Sequence, residues 1–450
     1  MKKVLLIIFL FLCVDAIFCV SVDAQNCNAD FLGTKTLYKS SGQKYTPAPA
    51  GYIPVFINHV GRHGARHLTK DVKTTSAWSL LIKADSLNAL TEKGKKLKQM
   101  VIALQKVEKG NTKNISAEGR EELRGLGQRM HDNYSNIFKD GANLSVAVTK
   151  EVRTEQSADA FLQGLNSRLK DSAIIKRYND DVHLRFYDLS PAYKSFENGI
   201  DDSEIKLALE KRANMDNLNN AVIRRFFNAD ALNKLDDQSK AKFVSDVFGF
   251  ATIVYSLKNE IKQSGFEFAD LDFKSFFTCD ELAKLGALDS IDDNLKKGPG
   301  TDNNGLQVRV AIPLLVDFIN TADDFIKDKK VTAQLRFAHA ETIAPFAALL
   351  QIADADKAGK QPAKLNGNWQ ASKVIPLSAN IQWIFYKKKG SGSYLVKILL
   401  NEKEEHITGL SNKSFPYYKW TNLRALYISK LAKSGVKLTD DMSAYLTNLK

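Results

Sequence analysis

Three segments of the chain repeat one design, in which a strand-like run ends near charged residues and a helix-like segment follows. The runs cover residues 52–57, 144–149 and 331–337. Strands that alternate with helices are typical of an α/β sheet, where ligands bind beyond the carboxyl ends of the strands. The repeat therefore predicts an α/β fold with a mostly parallel central sheet and flanking helices.

The residues after these runs are suited to binding and attacking a phosphoryl group. The first run leads to Arg-His-Gly-Ala-Arg-His at 62–67, the second to Arg153, and the third to His339 and Glu341. A neutral imidazole is a nucleophile toward phosphorus, and guanidinium groups match phosphoryl oxygens in pairs. Helix N-termini behind the strands would add backbone N–H groups for an anion. Alone, the basic motif could equally be a solvated turn; the other two sites favour a phosphate site.

Local patterns predict the elements around these sites. A helix is expected over 155–165, and Thr342 is a candidate N-cap of another, with Pro345 in its first turn and an apolar run to residue 352. Two strand-like runs flank Lys389-Gly390-Ser391-Gly392. They predict a β-hairpin at an antiparallel edge of the sheet.

A long region between the second and third runs lacks strand patterning. Residues 204–227 and 239–262 both have helical spacing. We expect an inserted α-helical cap domain over 195–300, with the α/β catalytic core formed by 25–194 and 301–450.

The N-terminus has the pattern of a secretory signal peptide over 1–24. A basic start precedes an apolar run from Val4 to Val14, and Ala24 is a small residue at the expected cleavage site. A retained membrane anchor is the alternative, but Asp15 interrupts the apolar run. We expect export to the periplasm, the cell surface or the medium, with no integral membrane span after cleavage.

The net charge of +13 predicts a polyanionic partner. The lysines are scattered and no zinc-finger spacing or arginine-rich arm occurs, so nucleic acid is disfavoured. We therefore expect a small, multiply phosphorylated substrate and a monomeric protein. No Cys/His cluster has metal-ligand spacing, so we predict neither a metal nor a cofactor. Cys27 and Cys279 would remain after cleavage, either as a disulfide or as free thiols.

The candidate residues divide into the roles that cleavage of a phosphomonoester needs. His63 would be the nucleophile, His339 a hydrogen-bond donor and Glu341 the acid that protonates the leaving alcohol. The phosphoryl charge would be neutralised by Arg62, Arg66 and Arg153. A phosphate dianion next to Glu341 would raise the pKa of that carboxyl by like charge.

The same motifs resemble a known family. Arg-His-Gly-Ala-Arg at 62–66, Arg-Thr-Glu-Gln-Ser-Ala at 153–158 and His-Ala-Glu at 339–341 occur in the order found in the histidine acid phosphatases, the branch that includes phytases. The His-Ala-Glu ending, with segments 184–193 and 277–282, is similar to the multiple inositol polyphosphate phosphatases. The resemblance implies hydrolysis of phytate and lower inositol phosphates through a phosphohistidine at His63. The family usually has proline where this chain has Leu68, which leaves the conformation of that loop open.

Two other functions stay open. A broad acid phosphatase acting on sugar phosphates or bisphosphoglycerate would use the same chemistry. A non-catalytic binding protein could capture polyanions in a basic cleft, but it would not need Glu341.

Five further residues are candidates for contact with substrate phosphates. Each has an alternative interpretation, namely a structural hydrogen bond for the histidine and a solvated charge for the others. They are His67, Arg185, Lys194, Lys296 and Lys297.

Overall fold

A computed structural model describes most of the chain. It covers residues 27, 29–139, 142–169, 173–201, 203–359, 369–411, 413 and 415–450. The signal peptide expected over 1–24 lies outside these residues. Within them, no helix combines the length and apolar character needed to cross a membrane.

One mixed sheet of eight strands forms the centre of the described fold. The strands are β1 Tyr52–Arg62, β2 Asn143–Val148, β3 Ile174–Asn179, β4 Ala333–Ala338, β5 Asn380–Lys388, β6 Tyr394–Leu400, β7 Lys403–Glu404 and β8 Tyr418–Lys419. Their order is β3-β2-β4-β1-β5-β6-β7, and β8 also pairs with β6. The first four strands in this order are parallel and the rest are antiparallel. The predicted α/β fold class is confirmed, as is the β5–β6 hairpin.

The three strands that carry the candidate site are neighbours. β4 lies between β2 and β1 and is parallel to both, with Val148 opposite Phe337 and Arg62 opposite Ala338. The carboxyl ends of parallel strands meet at one edge of a sheet. The residues after β1, β2 and β4 therefore project into one region.

β1 continues five residues beyond the predicted run and ends at Arg62. Sequence patterning does not show this because Asn58 and His59 are polar, although both are buried. The Asn58 side-chain amide donates to the Phe318 carbonyl at 2.9 Å. A buried polar side chain that keeps a hydrogen bond does not interrupt a strand.

The helices lie on both sides of this sheet and in the long segment between β3 and β4. The α-helices are Ser76–Ser86, Glu92–Glu108, Ala117–Tyr134, Val152–Asn166, Asp181–Leu184, Phe186–Leu189, Pro191–Asp201, Glu204–Ala213, Met215–Ile223, Ala229–Leu232, Asp237–Ile253, Lys258–Gln263, Cys279–Lys296, Leu306–Arg309, Ile312–Asp328, Ala340–Leu349, Ala371–Val374, Trp420–Lys433 and Met442–Asn448. Short 3-10 helices are Ala29–Lys35, Val72–Thr74, Ser135–Phe138, Val254–Ser256, Phe268–Leu271 and Phe273–Phe276.

Three large apolar clusters stabilise these layers. Two lie against the sheet, one of them with the helix Ile312–Asp328 and the other with the helices Ala117–Tyr134 and Val152–Asn166. The third cluster contains no strand. In it, residues 72–107 pack against the helices of 218–285. The cap boundaries at 195 and 300 stay a prediction.

The helix after β4 begins three residues earlier than predicted. It spans Ala340–Leu349, with His339 as the N-cap, so the expectation for Thr342 is wrong. Thr342 is the third helical residue, and its hydroxyl accepts the backbone N–H of His339 at 3.3 Å. Pro345 consequently lies inside the helix and not in its first turn.

Cys27 and Cys279 form a disulfide. It ties the N-terminal segment to the start of the helix Cys279–Lys296. Phe31 packs closely on the same helix. The contact is so close that a Cβ added to Gly286 would lie 2.4 Å from the Phe31 Cα. This result settles the pairing that the sequence leaves open.

The helices Ala117–Tyr134 and Val152–Asn166 cross at backbone contact. A Cβ added to Gly127 would lie 2.1 Å from the Phe161 carbonyl oxygen, closer than real Cβ atoms approach. The crossing therefore requires glycine at position 127.

Gly127→Ala is expected to lower the free energy of unfolding by about 1–3 kcal/mol, because overpacking forces the two backbones apart. Gly249→Ala is the control, since a Cβ there meets nothing within 4 Å and alanine in a helix is neutral or stabilising by up to about 1 kcal/mol. Urea unfolding measures both. Equal stability of the two variants would contradict the close crossing.

Candidate active site

The backbone of His63 is fixed between two strands just beyond β1. Its N–H donates to the Ala338 carbonyl at 2.9 Å, and its carbonyl accepts the Ser378 N–H at 3.1 Å. The Arg62 N–H donates to the Ala379 carbonyl at 2.7 Å. The nucleophile candidate is thus held by the end of β4 on one side and by the residues before β5 on the other.

The imidazole of His63 is oriented for attack through Nε2. Its Nδ1 lies 2.9 Å from the Gly64 carbonyl oxygen, which can only accept, so Nδ1 carries the proton. Burial holds the pKa of His63 well below its usual range, and Arg62, Arg66 and Arg153 lower it further. The ring is therefore neutral, and its Nε2 lone pair is available.

Arg62 and Arg66 are held by backbone carbonyls. The Arg62 Nη1 donates to the carbonyls of Thr34 and Ile375, each at 2.6 Å, and the Arg66 Nη1 donates to the His67 carbonyl at 2.8 Å. Their buried Nε atoms have no partner among the described residues. Burial lowers the pKa of both, that of Arg66 to about 10. Both remain cationic at neutral pH and keep donors that an anion could use.

Arg153 contacts His339 directly. Its Nη2 donates to the His339 Nδ1 at 3.2 Å, and its Nη1 forms an ion pair with Glu151 at 2.6 Å. The other ring nitrogen, Nε2, lies 3.0 Å from the Thr149 hydroxyl. Burial, followed by the charge of Arg153, keeps the pKa of His339 well below its usual range. In the free protein Nδ1 of His339 is therefore an acceptor, and the donation from His339 to a phosphoryl group stays a prediction.

The predicted nucleophile and hydrogen-bond donor share one site. The rings of His63 and His339 have centroids 5.7 Å apart, and Arg153 bridges from the second strand to the third. Glu341 is the second residue of the helix that His339 caps. The structure thus brings together the residues that follow β1, β2 and β4.

Glu341 forms an ion pair with Lys297. The Lys297 Nζ lies 3.0 Å from the Glu341 Oε1 and 2.7 Å from the Asp293 Oδ1. Burial alone would raise the pKa of Glu341, but the Lys297 ammonium and a backbone N–H outweigh it and hold that pKa well below its usual range. This direction is opposite to the one expected beside a phosphate dianion, because the nearest charge in the free protein is an ammonium group.

Two residues that the sequence does not single out support the loop after His63. The Glu122 Oε2 accepts the Ala65 N–H at 3.0 Å and the Ser378 hydroxyl at 2.7 Å. The Ser157 hydroxyl donates to the Arg153 carbonyl at 2.6 Å and accepts the Gly64 N–H at 3.2 Å. These contacts join the loop to two helices.

The loop and the helix Ala117–Tyr134 also touch through backbone atoms. A Cβ on Gly119 would lie 2.1 Å from the Ala65 carbonyl oxygen. Any larger residue at 119 would push the loop away from the helix.

His67 has a carboxylate near each ring nitrogen. Its Nδ1 lies 3.2 Å from the Glu108 Oε2, its Nε2 lies 3.8 Å from the Glu260 Oε1, and the ring is buried. These contacts favour a structural hydrogen bond over contact with substrate. The Leu68 N–H donates to both carboxylate oxygens of Glu108 at 3.2 Å, a bond that proline could not make.

The other predicted phosphate contacts differ in position. Arg185 pairs with Glu151 at 2.8 Å and with Asp188, so Glu151 joins it to Arg153. Lys296 pairs with two aspartates, Asp201 at 2.8 Å and Asp292 at 2.9 Å. Lys194 is exposed. Of the five candidates, Lys297 contacts the proposed acid directly, and the role of each toward substrate stays a prediction.

Comparison with known proteins decides the family. A family model described as "Histidine phosphatase superfamily (branch 2)" matches residues 55–401, more than half of the chain. The chain belongs to this family.

The relatives of this branch 2 histidine phosphatase share its fold. It is 23% identical to multiple inositol polyphosphate phosphatase 1 of Gallus gallus over 300 residues, which cover 64% of each chain, so the match spans just under two thirds of that relative. Among solved structures, the multiple inositol polyphosphate phosphatase of Bifidobacterium longum in complex with inositol hexasulfate superposes with a TM-score of 0.76 at 20% identity, covering 89% of this chain and 98% of that one. A phytase of D. castellii gives a TM-score of 0.62 at 15% identity, covering 94% and 91%.

Sequence reasoning missed the residues that position this phosphatase site. Glu151 is the N-cap residue of the helix that carries Arg153. Its place two residues before Arg153 is a signal that the sequence contains. Glu122 and Ser157 reach the loop after His63 across long sequence separations, for which one sequence gives no signal. Asp293 lies four residues before Lys297, a helical ion-pair spacing that the sequence does contain.

The titration of two histidines tests the site electrostatics. Lowering the pH from 7.5 to 5.5 should leave His63 neutral, because its pKa is lowered and it gains a proton only well below 6.5. His183 should titrate at higher pH, since its bond to Asp180 and the charge of Asp317 outweigh burial and raise its pKa. Ring ¹⁵N NMR measures both, with His63→Ala and His183→Ala for assignment. Protonation of His63 before His183 would contradict the structure.

The N–H of Leu68 should contribute to stability. Leu68→Pro removes the N–H that the two Glu108 oxygens share and is expected to lower the free energy of unfolding by about 1–3 kcal/mol relative to Leu68→Ala. The alanine variant shortens the same side chain but keeps the N–H. Thermal unfolding measures both, and a proline variant as stable as the alanine variant would show that this bond is not needed.

Proposed function

We propose that the protein is an exported phosphomonoesterase that removes phosphates stepwise from inositol hexakisphosphate (phytate) and lower inositol phosphates through a phosphohistidine at His63. The observation that carries this proposal is the convergence of a neutral imidazole, three guanidinium groups and a carboxyl group at one edge of the sheet. A site that only captured polyanions would not require the carboxyl group.

In the first step, the Nε2 of His63 attacks phosphorus and a P–N bond forms. The P–O bond to the inositol oxygen breaks, and its electron pair goes to that oxygen. Glu341 donates a proton to the oxygen, so the alcohol leaves neutral. The guanidinium groups of Arg62, Arg66 and Arg153 stabilise the charge of the phosphoryl oxygens.

In the second step, water attacks the phosphorus of the phosphohistidine. The P–N bond breaks and its electron pair returns to Nε2 of His63. Glu341 accepts the proton from water and regains the form that it had before the first step. Inorganic phosphate then leaves.

A phosphate-rich substrate is favoured by the charge of the chain and by its relatives. The net charge is +13, and the similar Bifidobacterium longum enzyme was crystallised with inositol hexasulfate. The His-Ala-Glu motif at 339–341 is the one that resembles the inositol polyphosphate subgroup. We further propose that the protein acts as a monomer and that 195–300 form its cap.

Hydrolysis by the purified protein tests the proposal. We expect phosphate release from inositol hexakisphosphate with a higher kcat/KM than for 4-nitrophenyl phosphate. Lower inositol phosphates should appear one after another as the reaction proceeds. A preference for the aryl ester would overturn the inositol assignment and favour a broad acid phosphatase.

Two variants test the roles of the residues. His63→Ala should reduce phosphate release to background, whereas His131→Ala, on the surface helix Ala117–Tyr134, is the matched control and should be active. Glu341→Gln should lower kcat on phytate by about 10²–10⁴-fold and affect 4-nitrophenyl phosphate less, because nitrophenolate needs little protonation. Retained activity of His63→Ala would show that the mechanism is wrong.

A further inference from the structure

Lys297 stands between two carboxylates at the end of the helix Cys279–Lys296. Its Nζ lies 2.7 Å from Asp293 and 3.0 Å from Glu341. The side chains of Lys297 and Asp293 are 14% and 12% exposed, whereas that of Glu341 is 30% exposed. The Lys297 ammonium therefore has one well-covered partner on its own helix, Asp293. Its second partner, the proposed acid Glu341, is more exposed to solvent.

This ion pair conflicts with the role of Glu341 in the proposed reaction. A carboxylate paired with an ammonium at 3.0 Å is ionised and has no proton to donate. The acid must become protonated before the leaving oxygen departs. Some event in the catalytic cycle must therefore remove Lys297 from Glu341.

A second phosphate on the substrate is the group that can do so. The phosphate to be cleaved binds the guanidinium groups of Arg62, Arg66 and Arg153. Lys297, which is next to Glu341, is then the cation near the leaving oxygen. A phosphate dianion attracts an ammonium more strongly than one carboxylate does, and Asp293 keeps the lysine close. Repulsion between the new dianion and Glu341 acts in the same direction.

We propose that Lys297 is a substrate-operated switch for the general acid: it pairs with Glu341 in the free protein and moves to a neighbouring phosphate of a bound polyphosphate, after which Glu341 takes up the proton that it donates. The inference rests on the proposed function. The proton comes from solvent, passes from Glu341 to the leaving oxygen, and is replaced from the attacking water in the second step. Lys297 binds the second phosphate and affects the leaving oxygen only through Glu341.

The switch makes turnover depend on the number of phosphates on the substrate. A monophosphate such as glycerol 2-phosphate fills the guanidinium site but gives Lys297 no second phosphate. Glu341 then stays paired, and the poor leaving group departs slowly. An inositol polyphosphate draws Lys297 away from Glu341 in every catalytic cycle until few phosphates remain on the ring.

Kinetics of Lys297→Met on both substrates test the switch. Removing the ammonium raises the pKa of Glu341, so at pH 5.5 kcat on glycerol 2-phosphate should rise several-fold. On inositol hexakisphosphate KM should rise about tenfold, because a charged contact is lost. Lys240→Met is the control, since Lys240 is similarly covered and pairs with Asp237 away from the site. It should leave both substrates unchanged.

The outcomes separate the possible roles of Lys297. If Lys297→Met only raises KM for phytate and leaves kcat on glycerol 2-phosphate unchanged or lower, Lys297 is a simple phosphate contact and the switch is wrong. Lys297→Arg keeps the charge and should retain the preference of the wild type. If the wild-type protein hydrolyses neither substrate, the proposed function itself fails.

Measurements on the wild-type protein avoid any effect of a variant on folding. With inositol hexakisphosphate, the fall of kcat at high pH (its alkaline limb) should lie at least about one pH unit above the fall of kcat/KM. The pH dependence of kcat follows the protonation of Glu341 in the enzyme–substrate complex, whereas that of kcat/KM follows it in the free enzyme. Coincident limbs would overturn the switch. With glycerol 2-phosphate the two limbs should lie closer together than with inositol hexakisphosphate, because only the repulsion from the cleaved phosphate then acts on Glu341.

Discussion

The site depends on three guanidinium groups that are concentrated in one buried region. Among the described residues only one of them, Arg153, has a carboxylate partner, while Arg62 and Arg66 are held by backbone carbonyls. Carbonyl groups orient a cation without cancelling its charge. Burial keeps His63 and His339 unprotonated, and the excess positive charge acts in the same direction. The same charge makes a phosphoryl group the natural counter-charge, so it supports both the neutral state of the candidate nucleophile and the binding of an anion.

The fold holds these charges together against their repulsion. Hydrogen bonds from the ends of β4 and β5 fix the backbone of His63. Close helix crossings at glycine, with Glu122 and Ser157, fix the loop that follows. Such contacts are backbone-to-backbone or buried, and they leave little freedom for the arginines to move apart. A rigid cluster of like charge costs stability, and the core around the sheet offsets that cost.

The sequence was sufficient for the fold class and for the convergence of the candidate residues at one edge of the sheet, but not for their contacts. Alternating runs predict β2 and β4, and the motifs place Arg153, His339 and Glu341 at strand ends. β1 was predicted too short because Asn58 and His59 are polar but buried. The Asn58 amide bonds to the Phe318 carbonyl and the His59 ring packs on Phe161 and Phe337, all far along the chain. The N-cap at Thr342 was wrong because a Ser/Thr preference is weaker than the geometry of a strand that leads directly into a helix. The pair formed by Lys297 and Glu341 could not be predicted, because nothing local links the end of the helix Cys279–Lys296 to the helix that follows β4.

The N-terminal segment gives a physical reason why these distant parts meet. The disulfide joins Cys27 to the helix Cys279–Lys296, and the 3-10 helix Ala29–Lys35 packs along that helix. The Thr34 carbonyl of the same segment accepts a hydrogen bond from Arg62. One short segment therefore contacts both the helix that delivers Lys297 and the arginine at the end of β1. Its two attachments restrain the spacing between Lys297, beside the proposed acid, and Arg62, beside the candidate nucleophile, although the segment itself contributes no candidate catalytic group.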